Sequence, residues 1–185
     1  FSSTRGRFTL VSQYLGIKLL RKETPANSRI NEMNLASLKP EQIVPELQST
    51  DHLEVISELV SLLFDYLEQV QHNPLPEAIK EKTYANLAQR EEKISTGIGS
   101  GIAIPHAFSE DIEEMAVIFG RSKKGVDFEA VDNNPVYFIV LFIVPQKDYH
   151  QHLQTLAAIA KLFTRSDIRK ELAVAETRDD ILAVF

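Results

Sequence analysis

Hydrophobic residues recur at two different periods along this chain. Between residues 49 and 70, Leu53, Ile56, Val60, Leu63, Leu67 and Val70 return every three or four positions. That spacing predicts an amphipathic helix, with Thr50 or Asp51 as its N-cap. HNPLP stops it, and Pro76 suits the first turn of a second helix that runs to about Arg90. IVPEL (43–47), GIAIP (101–105), MAVIFGRS (115–122) and PVYFIVLFIVP (135–145) read as strands. The last has no polar face and is expected to be buried on both sides. DNNP between the last two supplies turn chemistry. Helical spacing returns in DYHQHLQTLAAIAKLF through Leu153, Leu156, Ala160 and Phe163. SDIRKELAVA and TRDDILAVF predict two short closing helices capped by Ser166 and Thr177. Strands set between helices predict an α/β sandwich around one sheet.

Charge divides the chain unevenly. Residues 1–32 hold six Lys and Arg against Glu23 and Glu32, a net +4, so with -6 overall the remaining 153 residues carry -10. An acidic domain lacks the basic surface on which general nucleic-acid affinity rests. FTLVSQYLGIKLLRK can form a short basic amphipathic helix, and ETPANSRINE reads as a linker. Residues 1–32 are therefore expected to be a basic N-terminal extension or the remnant of an upstream domain, with a membrane-surface helix as the sharper alternative. The domain proper is expected over 33–185. There is no cysteine, which removes disulfides, thiol nucleophiles and cysteine-ligated zinc and fits a cytoplasmic setting. The longest apolar run is about half of what a membrane-spanning helix needs, so no integral membrane segment is expected.

The candidate chemistry centres on STGIGSGIAIPHAF, residues 95–108. Gly97, Gly99 and Gly101 do not complete a dinucleotide fingerprint, because Ile102 stands where its third glycine belongs, and no Gly-Lys-Ser/Thr follows. Glycines there allow a tight turn and a close backbone approach, and their amides can receive an anion. Pro105 suits a strand end, which places His106 where sheet gives way to loop. Two readings of His106 stand at this point: a structural histidine, or one presented for chemistry. His150 and His152 are two apart on a predicted helix and so do not face one way, which argues against a metal site with His106. Arg90 at a helix end is either solvated or a phosphate clamp. His52 and His72 read as surface residues.

The whole stretch QREEKISTGIGSGIAIPHA resembles the phosphorylation-site signature of type-2 IIA domains of the phosphoenolpyruvate:sugar phosphotransferase system, the mannitol/fructose family. Glu92, Gly99, Ile102, Ala103, Ile104, Pro105, His106 and Ala107 fit the pattern. STGIG and GIAIPH look most like its nitrogen-regulatory branch, and residues 1–32 are not covered. The resemblance implies a single mixed β-sheet flanked by helices on both faces. It implies that His106 accepts a phosphoryl group, that His152 lies beside it and that Arg90 helps bind the phosphoryl group. It gives His150 no counterpart. Gly97, Gly99 and Gly101 are then expected to bring backbone amides close to the phosphorylated imidazole. The implied donor is a histidine-containing phosphocarrier protein. The implied recipients are regulatory targets chosen by phosphorylation state or, alternatively, a sugar-specific IIB domain. A third possibility is a non-catalytic binding module of the same fold. No metal, nucleotide or other cofactor is called for.

Overall fold

The computed structural model describes residues 35–72, 74–148 and 152–185. The basic segment 1–32 and His150 lie outside the described residues. In chain order the elements are β1 (Ile43–Val44), α1 (His52–Gln71), α2 (Glu77–Lys93), β2 (Gly97–Gly99), β3 (Ile102–Ala103), β4 (His106–Ser109), β5 (Ala116–Val126), β6 (Val136–Pro145), α3 (His152–Thr164), α4 (Ser166–Val174) and α5 (Arg178–Val184). The six strands form one mixed sheet in the order β1-β5-β6-β3-β2, with β4 also paired to β6. β5 and β6 are antiparallel, whereas β1 on β5 and both β3 and β4 on β6 are parallel.

β6 is the axis of the sheet, and its alternation assigns the two faces. Ile139, Leu141 and Ile143 enter the core shared with α1 and α2. Phe138, Val140, Phe142 and Val144 enter a second core with α3, α4 and α5. Both faces of one strand are thus covered, as the absence of polar positions in the run requires. The α/β sandwich around one sheet is as the sequence pattern predicts, and the mixed sheet with helices on both faces is as the resemblance implies.

Local chemistry sets the helix ends. Asp51 caps α1, its Oδ1 accepting from the amides of Leu53 at 2.9 Å and Glu54 at 3.1 Å. His72 closes that helix in the left-handed region, φ 52°. The buried stripe of α1 is Val55, Ile56, Leu59, Val60, Leu63 and Phe64. Val70, expected on the buried face, is 57% exposed because the stripe follows a slightly different line from the one drawn through it. α2 runs one turn past Arg90 to Lys93, and Pro76 sits just before its first residue. Thr177 caps α5 reciprocally with Asp180. Ser166 is instead the first helical residue of α4, with Arg165 at the N-cap. Among the described residues no helix is long and apolar enough to cross a membrane.

β3 and β4 are two pieces of one line of chain along β6. Ile102 and Ala103 pair with Phe138 and Ile139, and His106 through Ser109 pair with Phe142 through Pro145. The interruption falls at Ile104 and Pro105, where proline has no N–H for the ladder. The Pro105 carbonyl still accepts from Phe142 N at 3.0 Å. His106 therefore enters a fixed register directly after a break in the sheet.

Candidate functional site

Strand parity decides where His106 looks. Ala103 and Ala107 point into the α1–α2 core, while Ile102 and Ile104 point into the α3 core. His106 shares the parity of the second pair. Its ring stacks on that of Phe142 across the parallel pair, with centroids 5.6 Å apart and planes 19° apart. Beyond it, His152 in the first turn of α3 has its ring centroid 6.1 Å from that of His106. His152 is 7% exposed and meets the edge of Phe108 at 4.8 Å.

The side chain of His106 is oriented by its own chain. Its Nδ1 lies 2.9 Å from the carbonyl oxygen of Ile104. A carbonyl only accepts, so Nδ1 carries the proton and Nε2 keeps its lone pair. Burial pushes the imidazole below its ordinary pKa, the bond to Ile104 opposes this, and Arg90 and His152 lower it further. The ring is thus held neutral at physiological pH with one defined tautomer.

His106 opens onto a pocket of about 410 Å³, which Arg90, Thr96, Ile98, Ile104, Leu153 and Leu156 also line. Arg90 reaches it from the last turn of α2, and its Nη1 donates to the carbonyl of Ile94 at 2.7 Å. Ile98 and Leu153 form an apolar rim, 44% and 63% exposed. Arg90, His106 and His152, far apart in sequence, are therefore gathered in one region. The sequence alone assigns no site role to Thr96, Ile98, Phe142, Leu153 or Leu156. Phe142 had a signal: it sits on the even-numbered face of β6, opposite a strand that begins at His106.

The three glycines are placed otherwise. They belong to the β2–β3 hairpin and pack against the loop before β6. A Cβ on Gly97 would lie 2.8 Å from both Cα and Cβ of Ala130. Gly99 has φ +88° and faces the Asp132 carboxylate, whose Oδ2 accepts the Ser100 amide at 2.8 Å. The Gly101 carbonyl accepts from Tyr137 and Phe138. None of the three lines the pocket at His106. Glu92, which fits the signature, is exposed, while its neighbour Glu91 is 5% exposed.

The fold is shared with proteins of known structure. The chain is 35% identical over 139 residues to the "PTS system fructose-specific EIIABC component" of Bacillus subtilis (strain 168), covering 75% of this chain and 21% of that protein. It is 30% identical over 146 residues to a "Nitrogen regulatory protein" of Bradyrhizobium diazoefficiens, covering 79% of this chain and 90% of that one. It spans less than two thirds of the length of the fructose-specific relatives it matches, 21% of one and 64% of another. The crystal structure of nitrogen regulatory protein IIA-Ntr from Neisseria meningitidis superposes with a TM-score of 0.68 at 26% identity, over 79% of this chain and 94% of that one. Residues 36–185 match the sequence profile of one family, and the chain belongs to it: phosphoenolpyruvate-dependent sugar phosphotransferase system, EIIA 2.

Proposed function

We propose that this chain accepts a phosphoryl group on Nε2 of His106 from a histidine-containing phosphocarrier protein, and that the phosphorylation state of His106 selects its regulatory targets. The observation that carries the reading is the Nδ1–H bond to Ile104 at 2.9 Å, which leaves Nε2 as the nucleophile beside Arg90. The Nε2 lone pair attacks phosphorus. The new N–P bond forms as the carrier's P–N bond breaks, and the carrier imidazole leaves with that electron pair. Nδ1 keeps its proton throughout, so the phosphorylated ring bears positive charge facing the Ile104 carbonyl. Arg90 neutralises charge on the phosphoryl oxygens, and His152 orients the acceptor or donates to the same group. The apolar rim of Ile98 and Leu153 suits a protein surface rather than a small polar substrate.

Relatives called nitrogen regulatory protein, aligned over most of their own length, favour the regulatory branch. The fructose-specific relatives favour a second reading, in which the group passes on to a sugar-specific IIB domain. Either role belongs in the cytoplasm. Incubation with phosphoenolpyruvate and the general phosphocarrier proteins is expected to label the native chain and leave His106→Ala unlabelled; equal labelling of the two overturns the assignment. A pull-down with phosphorylated and unphosphorylated chain then separates the branches. Partners that change with the state indicate regulation, and transfer of label to a IIB domain indicates transport.

A further inference from the structure

Glu91 is a buried carboxylate to which the transfer step assigns no role. It occupies the last turn of α2 next to Arg90 and is 5% exposed. Stability alone disfavours it there. The negative end of the helix dipole opposes an acid at this position, and enclosing a carboxylate is costly. Its Oε1 accepts the backbone N–H of Thr96 at 2.8 Å, and its Oε2 is enclosed with no hydrogen-bond partner among the described residues.

The bond to Thr96 is the first of a series. The Thr96 carbonyl accepts the N–H of Ile104 at 3.0 Å. The Ile104 carbonyl accepts Nδ1–H of His106 at 2.9 Å. Three hydrogen bonds thus lead from the Glu91 carboxylate to the imidazole. Arg90 fastens the same link from the other side through the Ile94 carbonyl at 2.7 Å. Two adjacent residues on one helical turn therefore pin residues 94–96 as that segment leaves the helix and joins Ile104. In both Thr96 and Ile104 the N–H and the C=O belong to different peptide groups. The series consequently transmits position rather than charge.

We infer that Glu91 is a positioning residue for His106: through Thr96 and Ile104 it fixes the carbonyl that selects the Nδ1–H tautomer and aims Nε2 into the pocket. This rests on His106 being the phosphoryl acceptor. Removing the acceptor oxygen loosens Thr96, then Ile104, and the ring loses its single tautomer. A displacement of about 1 Å from near-attack geometry can cost on the order of 100-fold, so the effect falls on transfer.

The test compares Glu91→Met, which keeps volume and loses the oxygen, with Glu91→Gln, which keeps an acceptor. Nitrogen NMR of the His106 ring is expected to show Nδ1–H alone in the native chain and in Glu91→Gln, and a mixture of tautomers in Glu91→Met. Phosphoryl acceptance from the carrier is expected to fall about tenfold in Glu91→Met and to stay within about threefold in Glu91→Gln. An unchanged tautomer and rate in Glu91→Met overturns the inference, as does a Gln variant as impaired as the Met variant. If Glu91→Met does not fold, amide exchange in the native chain decides. Thr96 and Ile104 protected like the amides of β6 uphold the series, and exchange as fast as in an exposed loop refutes it. If the native chain takes no phosphoryl group at all, the acceptor reading falls, while the tautomer still judges Glu91.

Discussion

The Ile104 carbonyl and the His106 imidazole, on either side of one proline, are bonded to each other at 2.9 Å. The contact spans only two residues, so it is set by the local path of the chain across Pro105. It makes Nδ1 a donor and leaves Nε2 as the nucleophile. Phosphorus on the modified chain is therefore expected on Nε2. Proton–phosphorus and nitrogen NMR of the phosphorylated protein distinguish the two ring positions, and a phosphoryl group on Nδ1 would break the argument.

Burial, with help from Arg90 and His152, keeps His106 below its ordinary pKa. Acceptance is therefore expected to persist below about pH 6.5, where an unperturbed histidine is already half protonated. The stability consequence has a definite sign. Below about pH 6.5 the unfolded chain binds a proton at this position that the folded chain does not. The contribution of His106 is whole above that pH and declines as pH falls toward the folded value. His106→Gln is expected to flatten that part of the stability profile, and an NMR titration of His106 with an ordinary or raised midpoint would contradict both expectations.

Much of this molecule is legible without coordinates, and particular residues show why the rest is not. Asp51 and Thr177 announce helix starts because capping is local chemistry. The run from Pro135 to Pro145 announces a strand covered on both faces because it has no polar side to expose. His106 is ambiguous from bare chemistry because a place at a sheet end serves either role; only the resemblance singles it out in the sequence, and only the fold places Arg90 on its pocket and His152 beside its ring. Glu91 and Glu92 cannot be told apart by composition. Only the rotation of the last turn of α2 sends one inward and the other to solvent. The glycines mark a tight turn correctly as a type of place, but what they pack against lies about 30 residues further on and is set by tertiary contact.

Arg121 is a buried cation hidden in an apolar run. It is 1% exposed, and its Nε donates to the Pro45 carbonyl at 2.8 Å. Its Nη1 donates to the carbonyls of Leu172, at 2.7 Å, and Ala175. It thereby closes the C-terminal end of α4 and ties it to the segment after β1. Arg121→Ala is expected to cost about 3–5 kcal/mol, since two buried carbonyls and the half-buried Pro45 carbonyl lose their donor. Arg121→Lys is expected to recover only part, because one ammonium does not reproduce the planar fork. Denaturant midpoints check both, and an Arg121→Ala chain as stable as the native one would leave the residue without this role.

The hairpin glycines allow the sharpest separation of fold from chemistry. Gly99, at φ +88°, is expected to lose about 1–2 kcal/mol on substitution by alanine, from the left-handed backbone alone. Gly97→Ala is expected to cost more, because the new Cβ meets the Ala130 backbone at 2.8 Å, and backbone yields less than a flexible side chain. Both substitutions act on the β2–β3 hairpin, so phosphoryl acceptance is expected to follow the folded fraction of each variant. The check is the transfer rate per folded molecule, with the folded fraction measured by denaturation under the same conditions. A rate that drops in Gly99→Ala while stability holds would instead put the loop amides on the phosphoryl group. It would make the glycines part of the site and not only of the turn that leads to it.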